Sequence, residues 1–155
     1  MRVYIGSDHA GFELKKYLVE HVTAAGHDVV DCGPHQFDPE DDYPAFCLVT
    51  AAKVVADQGS LGIVLGGSGN GEQIAANKVA GTRAALAWTV EIAELSRQHN
   101  DANVIALGAR QHTAEESAAM VDAFLATPFS GEARHARRIA QLADYESTRE
   151  LPILP

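Results

Sequence analysis

The sequence is poor in cysteine and in aromatic residues, and both shortages narrow the class of protein. Its 155 residues include two cysteines, and aromatic side chains make up 6%. Cys32 and Cys47 have neither C-x-x-C spacing nor a metal pattern with histidine, so we expect buried free thiols in a reducing compartment. The seven histidines have no close ligand spacing either, and we therefore expect no metal site.

Basic residues and long apolar runs are also scarce. Lys and Arg number 12 against 21 Asp and Glu, a formal charge of −9, which disfavours nucleic acid or a membrane surface as the main partner. No apolar run approaches the ~20 residues of a membrane span, and the N-terminus has no signal-peptide pattern, so we expect a soluble cytoplasmic protein. The length and the 46% hydrophobic content predict one domain over 1–155.

Short apolar stretches alternate with helical spacing along the whole chain. The pattern predicts strands at 2–5, 28–31, 61–65, 82–87 and 103–107, and helices at 11–25, 44–57, 72–77, 89–100, 113–127 and 132–150. The strands are apolar without alternation, which predicts an α/β fold with a parallel sheet between layers of helices. Functional groups in such folds gather at the carboxyl ends of strands. The turns expected there are 7–9, 66–72, 88 and 108–112.

The strongest chemical signal lies in the stretch 61–77. An apolar strand runs into glycine at 66, 67, 69 and 71, and a helix follows. Such a turn presents bare backbone N–H groups to an anion, while Ser68 and Glu72 add a hydroxyl and a carboxylate. An anion hole beside a carboxylate suits proton transfer. The alternative is a turn that needs glycine for geometry alone. A nucleotide loop is disfavoured, because no Lys-Ser/Thr follows and G-x-G-x-x-G is not matched.

Two pairs of polar residues each have a functional and a structural interpretation. Asp8 and His9 follow the first strand and could share acid–base work or bind a sugar and a phosphate. Alternatively, Asp8 is a helix cap with an exposed histidine beside it. His99 could be an acid–base imidazole with Asn100 reading a hydroxyl, or a cation favoured at a helix C-terminus.

Arginines are concentrated in the last predicted helix of an otherwise acidic chain. Arg134 and Arg138 share one helix face and could clamp a phosphate, and Arg110 at the end of strand five could join them. The alternative is a solvated face on which arginines pair with nearby acids.

Several spaced motifs together resemble one known family. They are GSDHAGFELK at 6–15, DYP at 42–44, GGSGNG at 66–71, HNDAN at 99–103, GAR at 108–110 and the arginine-rich last helix. These motifs resemble those of the type B ribose-5-phosphate isomerases, a family that also includes galactose-6-phosphate and allose-6-phosphate isomerases. The resemblance covers nearly the whole chain.

The resemblance carries expectations about fold, assembly and activity. It implies a three-layer α/β/α sandwich around a five-stranded parallel sheet, and a homodimer or homotetramer whose active sites lie at the dimer interface. It implies no metal and no organic cofactor. It also implies reversible conversion of ribose 5-phosphate and ribulose 5-phosphate in the pentose phosphate pathway. The C-terminal helix and tail, about 132–155, are then expected at the oligomer interface.

One position departs from the commoner family pattern. Many members carry a cysteine base in the glycine loop, whereas this chain has Ser68 there. It resembles the actinobacterial subgroup, in which a glutamate after the loop takes the base role, and Glu72 matches that position. The resemblance then implies that Glu72 moves a proton between C2 and C1 of a cis-enediolate. Asp8 and His99 would open the furanose ring.

The resemblance also assigns the remaining site residues to binding. The developing oxyanion would be met by the loop backbone and its neighbours, namely Gly67, Ser68, Gly69, Asn70 and Gly71. The phosphate would be held by His9, Arg110, Arg134 and Arg138. The sugar site would be shaped by Tyr43 and Asn100.

Two other functions compete with this interpretation. One keeps the chemistry and changes the substrate to D-erythrulose 4-phosphate, allose 6-phosphate or galactose 6-phosphate. The other is a non-catalytic nucleotide-binding module of similar topology, against which the missing nucleotide signatures count.

Overall fold

The computed structural model describes residues 1–154. The strands in this range are β1 (Arg2–Ser7), β2 (Asp28–Asp31), β3 (Leu61–Gly66), β4 (Ala84–Leu86) and β5 (Val104–Gly108). The α-helices are α1 (Phe12–Ala24), α2 (Tyr43–Ala56), α3 (Asn70–Ala76), α4 (Val90–Asn100), α5 (Ala114–Ala126) and α6 (Ala133–Thr148), and a 3₁₀ turn (His9–Gly11) precedes α1.

The five strands form one parallel sheet in the order β2-β1-β3-β5-β4. Every residue of the central strand β3 is buried, because helices cover both faces of the sheet. Leu18 of α1 and Phe124 of α5 pack on one face, and Cys47 of α2 and Ala76 of α3 pack on the other. The predicted α/β fold with a five-stranded parallel sheet between helices is confirmed.

Local capping explains where two of the helices begin. The Thr89 hydroxyl accepts a hydrogen bond from the Ile92 N–H at the start of α4. Thr113 and Glu116 form the predicted capping box at the start of α5, each side chain accepting from the other's backbone N–H. Each cap satisfies N–H groups that the first helical turn leaves without partners.

Most element boundaries differ from the sequence expectation by one or two residues, and those of β1, α3 and β4 have a clear consequence or cause. Strand β1 continues to Ser7, so the loop that follows it begins at Asp8. Helix α3 begins two residues early, at Asn70, because Gly69 in the left-handed region (φ 81°) ends the glycine turn. Strand β4 is shorter than predicted, since the Thr82 N–H bonds to the Val79 carbonyl and extends the preceding turn.

The C-terminal helix lies outside the sheet, and its residues Ile139, Leu142 and Tyr145 line a cavity together with Ala84 and Leu86 of the edge strand β4. Helix α6 spans Ala133–Thr148, and Leu151, Ile153 and Leu154 after it are exposed. Among residues 1–154, none of the helices combines the length and the apolar character that crossing a bilayer requires. Both cysteines are free, but only Cys47 is fully buried, whereas Cys32 is partly exposed.

Candidate active site

The carboxyl ends of the three central strands meet through backbone hydrogen bonds. The Asp8 N–H donates to the Leu65 carbonyl at 3.2 Å. After β5, the Ala109 N–H donates to the Gly66 carbonyl at 2.7 Å, and the Arg110 N–H to the Gly67 carbonyl at 3.1 Å. The turns after β1, β3 and β5 therefore form one continuous surface, as predicted from strand order.

Trp88 is predicted to lie with these turns. It follows the edge strand β4, is 57% exposed and lines a cavity of about 770 Å³ together with Leu86, Leu142 and Tyr145. Leu86, the last residue of β4, reaches the glycine turn, because a Cβ on Gly69 would lie 2.6 Å from its Cδ1. The carboxyl end of β4 therefore adjoins the central turns.

Glu72 is the buried acid of the glycine turn. It lies in the first turn of α3 and is 4% exposed. A Cβ on Gly66 would collide with the Glu72 carboxylate, so the acid folds back across the end of β3. In the same loop, the Ser68 hydroxyl accepts hydrogen bonds from the Asn70 backbone and side chain at 3.3 and 3.2 Å. The buried Glu72 carboxylate and the backbone N–H groups of the loop thus belong to the same turn.

Burial changes the acidity of this carboxylate. Loss of water contact raises the pKa of Glu72 above its ordinary value, and the nearby negative charge of Asp8 raises it further. Backbone N–H groups of Glu72 and Gly69 act in the opposite direction. A carboxyl group with a raised pKa can both accept and return a proton, as a general base that exchanges a proton with its ligand must do.

The Cys47 thiol lies close enough to the Glu72 and Asp8 carboxylates to be affected by their charges. Cys47 is fully buried in α2, and burial raises the pKa of its thiol, with Glu72 and Asp8 adding to the effect. A thiol in this environment remains protonated and acts as apolar packing. The site therefore has no thiolate that could replace the missing loop cysteine.

Asp8 caps the first helical segment and still offers an oxygen to the site. Its Oδ1 accepts hydrogen bonds from the Ala10 and Gly11 N–H groups at 2.9 and 3.1 Å, and the residue is 7% exposed. The capping interpretation is therefore correct. Within residues 1–154, no protein group donates a hydrogen bond to Oδ2 of Asp8, which leaves that oxygen available to a ligand.

His9 is held by a residue that the sequence did not single out. Oδ1 of Asp41 lies 2.8 Å from the His9 backbone nitrogen and 2.8 Å from its Nδ1. Asp41 belongs to the acidic loop before α2, yet its side chain is only 9% exposed. An acid 32 residues away in sequence could not be selected without the tertiary contact.

Tyr43 and Arg110 flank the glycine turn. A Cβ on Gly71 would lie 2.7 Å from Cζ of Tyr43, so the phenol ring packs directly on the loop. A Cβ on Gly67 would lie 3.3 Å from Nη1 of Arg110. One chain therefore brings together Asp8, His9, Tyr43, the loop 67–71, Glu72 and Arg110.

The other predicted site residues lie at the opposite edge of the sheet. His99 and Asn100 end α4, which runs back from the carboxyl edge to the amino edge, and the Asn100 carbonyl accepts from Nε of Arg83 immediately before β4. Strands of five or six residues separate the two edges by about 16–20 Å. A single chain therefore does not place His99 beside Glu72.

Helix α6, which carries the clustered arginines, lies beside His99 at that edge. The His99 and His135 rings have centroids 4.3 Å apart. His135 is 2% exposed and its Nδ1 lies 2.8 Å from the Ser130 hydroxyl. Burial lowers the pKa of His135, and His99 and the neighbouring arginines lower it further. Arg134 forms an exposed ion pair with Glu132 at 2.9 Å.

No metal centre is apparent in this arrangement. Among residues 1–154, no group of three or more His, Cys, Asp and Glu side chains is placed to hold a metal ion. The polar groups that converge at the carboxyl edge are the carboxylates of Glu72, Asp8 and Asp41, the His9 imidazole, the Arg110 guanidinium and the loop N–H groups.

The chain is similar to known proteins over nearly its full length. The profile of the ribose/galactose isomerase family matches residues 3–142. The protein named ribose-5-phosphate isomerase B in Mycobacterium tuberculosis strain H37Rv is 59% identical over 155 residues, covering 100% of this chain and 96% of that protein. The protein of the same name in Mycobacterium leprae is 57% identical over 155 residues, with the same coverage.

Solved structures agree with this similarity. Ribose-5-phosphate isomerase B from Mycoplasma genitalium with bound ribulose 5-phosphate superposes with a TM-score of 0.92 at 44% identity, covering 95% of this chain and 97% of that one. Ribose-5-phosphate isomerase B from Clostridium thermocellum also gives 0.92, at 39% identity, covering 97% and 100%.

Proposed function

We propose that this chain, which belongs to the ribose/galactose isomerase family, interconverts D-ribose 5-phosphate and D-ribulose 5-phosphate. The observation that carries the proposal is the buried Glu72 carboxylate, with its raised pKa, beneath a glycine turn at the carboxyl edge of the sheet. Isomerisation of an aldose to a ketose needs one base that removes a proton from C2 and returns it to C1. The reaction belongs to the pentose phosphate pathway, and a cytoplasmic location stays a prediction from sequence.

Proton transfer is assigned to Glu72. The carboxylate takes the C2 proton of the open-chain aldose, and the electrons move onto the carbonyl oxygen to give a cis-enediolate. The proton on the C2 oxygen then passes to the C1 oxygen, the electrons left on the C2 oxygen re-form a carbonyl, and Glu72 returns its proton to C1, which completes the ketose. Backbone N–H groups of Gly67, Gly69, Asn70 and Gly71, with Ser68, stabilise the oxyanion as it develops.

Ring opening precedes that step. The furanose must lose the proton of its anomeric hydroxyl and gain one on the ring oxygen. Asp8 has an oxygen that is not used in capping, and it serves with an imidazole, His99, as the acid–base pair. Tyr43, which packs on the loop, and Asn100 shape the space for the sugar.

The site becomes complete when a second copy of the chain supplies the distant residues. Within one chain, His99 and Asn100 end α4 at the edge of the sheet opposite to Glu72, and Arg134 and Arg138 lie on α6, whose His135 ring is 4.3 Å from that of His99. In a homodimer the two-fold axis lets each chain present this edge to the partner's glycine turn. The segment 132–155 then lies at the interface, as the resemblance implies, and a homotetramer would contain two such dimers.

Phosphate recognition draws on both chains. His9 and Arg110 lie at the carboxyl edge of one chain, and Arg134 and Arg138 come from α6 of the other. This division accounts for phosphate binding by a protein with a charge of −9, because scattered cations converge only after assembly.

The other phosphosugars remain the competing substrates. D-erythrulose 4-phosphate, allose 6-phosphate and galactose 6-phosphate need the same proton transfer and differ in the distance from the reacting carbons to the phosphate. A nucleotide-binding module is not favoured, because its phosphate loop would lack the Lys-Ser/Thr that follows a P-loop.

A substrate panel tests the proposal. Purified protein is assayed with ribose 5-phosphate and with C4 and C6 phosphosugars, each with and without a chelator. We expect the highest kcat/KM on ribose 5-phosphate and no effect of the chelator. Equal or better turnover of a tetrose phosphate would transfer the assignment to that sugar. Nucleotide binding without turnover of any phosphosugar would refute the isomerase.

A further inference from the structure

Asp41 reaches from one loop to another at the carboxyl edge of the sheet. It lies near the end of the loop between β2 and α2, and it contacts the 3₁₀ turn after β1. At the other end of that loop, Nζ of Lys15 donates to the Pro34 carbonyl at 2.7 Å. In the middle of the loop, the Phe37 ring packs edge-on against Phe12, with centroids 5.8 Å apart. The loop that leads to Asp41 is therefore held at two points that precede it.

One oxygen of Asp41 serves both the backbone and the ring of His9. Oδ1 accepts from the His9 N–H and lies at 2.8 Å from Nδ1. The other oxygen, Oδ2, is buried and has no hydrogen-bond partner. An ionised carboxylate with an unpartnered buried oxygen is costly unless a positive charge lies beside it. The imidazolium of His9 is the cation that this geometry provides.

The pairing also determines which ring nitrogen faces the ligand. Since Nδ1–H donates to Asp41, the free nitrogen is Nε2, and within residues 1–154 no protein group hydrogen-bonds to it. The His9 side chain is 30% exposed, so Nε2 can be reached from solvent. A protonated Nε2 donates a charged hydrogen bond, which binds a phosphate oxygen more strongly than a neutral donor does.

We infer that Asp41 is a positioning residue that keeps the His9 imidazole protonated and aims its Nε2–H at the phosphate of the substrate. The inference rests on the proposed function, because it assigns a ligand to that site. Two charged groups act on the imidazole. Asp41 and Asp8 favour the cation and raise the pKa of His9, against the opposing effect of burial. The cation Arg110 lies against Gly67, whose added Cβ would also contact Ala10 next to His9.

The test is Asp41→Asn, with Asp38→Asn as the matched control. Asparagine keeps an oxygen that accepts both hydrogen bonds and removes the charge. Asp38 is exposed in the same loop, and its substitution removes an equal charge elsewhere. The His9 imidazole is titrated by NMR in the free protein, and kcat and KM for ribose 5-phosphate are measured from pH 5.5 to 9.

We expect the His9 midpoint to move to lower pH in Asp41→Asn and to stay in place in Asp38→Asn. Between the two midpoints, KM of Asp41→Asn should exceed that of the parent protein by roughly three- to tenfold, with kcat changed less. Below both midpoints the two KM values should converge. The ratio of KM values cancels the titration of the substrate's own phosphate.

Two results would overturn the inference. One is an unchanged His9 midpoint in Asp41→Asn. The other is a KM ratio that is the same at every pH, which a merely structural role would produce. Should Asp41→Asn unfold, His9→Gln and His9→Gln/Asp38→Asn provide the second route: the ratio of their KM to that of the parent protein must then change with pH, and a ratio that is the same at every pH overturns the inference. A protein that isomerises no phosphosugar refutes the proposed function, while the NMR titration still decides the coupling of Asp41 to His9.

Discussion

The carboxylate of Glu72 occupies the space that a side chain on Gly66 would need. Gly66 is the last residue of β3 and Glu72 lies in the first turn of α3, so the chain makes a tight loop and the acid returns to the strand from which the loop departed. This relationship buries the acid, and within residues 1–154 no cationic side chain pairs with it. Burial is in turn the main reason why its pKa is raised.

Replacing Glu72 by glutamine should remove the base and preserve its shape. Glutamine is nearly isosteric, so the loop and substrate binding should persist. We expect kcat to fall by about 10²–10⁴-fold, the usual worth of a positioned general base, with a smaller change in KM. Steady-state kinetics of ribose 5-phosphate isomerisation measure both parameters.

Ser68→Ala and Glu13→Gln are the matched controls for this variant. Ser68 holds the position of the missing cysteine, and Glu13 is a carboxylate with 81% of its side chain exposed. We expect Ser68→Ala to retain most of kcat and Glu13→Gln to retain all of it. Loss of activity in Ser68→Ala together with an active Glu72→Gln would assign the proton transfer to the hydroxyl instead.

The Glu72→Gln substitution should also stabilise the folded chain at alkaline pH. Because burial raises the pKa of Glu72 in the folded state, the folded chain holds this proton more tightly than the unfolded chain does. Its contribution to the free energy of unfolding is present below the unfolded pKa and is lost as pH rises through the folded pKa. Glu72→Gln avoids that loss, so its Tm should exceed that of the parent protein at pH 8.

Thermal unfolding at two pH values checks this expectation. At pH 8 the difference in Tm should be positive by a few degrees, and at pH 4 it should shrink because Glu72 is then protonated in both states. A lower Tm for Glu72→Gln at pH 8 would mean that the ionised carboxylate stabilises the fold.

A heterodimer of two variants that are each inactive as homodimers should regain activity. In a heterodimer of Glu72→Gln with His99→Ala, one of the two sites combines an intact Glu72 with an intact His99 of the other chain. Chains carrying different affinity tags are co-expressed and the doubly tagged dimer is purified. We expect about half of the parent activity, since one site of each pair is complete.

Each homodimeric variant provides the baseline for that experiment. Both should be nearly inactive alone, because each lacks one group at both sites. A doubly tagged dimer no more active than the two homodimers would place His99 and Glu72 of the same chain in one site, or exclude His99 from the chemistry.

Replacing Lys15 should lower the free energy of unfolding far more than replacing its neighbour Lys16. The Lys15 side chain is 1% exposed and its ammonium contacts both oxygens of Asp31 at 2.6 and 2.8 Å. Breaking a fully buried pair costs about 3–5 kcal/mol, and Asp31 is 33% exposed, so we expect about 2–4 kcal/mol for Lys15→Met.

Urea unfolding of Lys15→Met and Lys16→Met measures the contrast. Lys16 is 58% exposed and 3.4 Å from Glu13, a surface pair of the kind worth about 0–1 kcal/mol. Equal losses of unfolding free energy in the two variants would show that the buried pair brings no net advantage over a methionine. Lys15→Met should also loosen the Pro34 end of the loop that carries Asp41.

Much of the fold could be predicted because its signals are local. The apolar runs of 61–65 and 103–107 become β3 and β5, and the Thr113–Glu116 pair caps α5 as its spacing indicates. Such patterns depend on neighbours in sequence. Predicted boundaries were wrong where the backbone conformation or a distant contact decides them. At Gly69, for example, the left-handed backbone lets α3 begin earlier than predicted.

The candidate site was predictable only in part. Ser68 and Glu72 stand out because they share one short loop with the glycines, and Asp8 follows a strand directly. Asp41 did not stand out, because an acid in an acidic loop has no local mark of burial. The contact to His9 spans 32 residues and arises only when the loop folds back across β1.

The sequence by itself determined the parallel α/β architecture, the family and the residues of the glycine turn, since each rests on spacing along the chain. The tertiary structure decided which of those residues meet. It placed Glu72, Asp8 and Arg110 at one edge and His99 with α6 at the other, because α4 must run antiparallel to the strands it connects. It also buried Glu72, and burial rather than residue type raises the pKa of that carboxyl group towards the range of a working base.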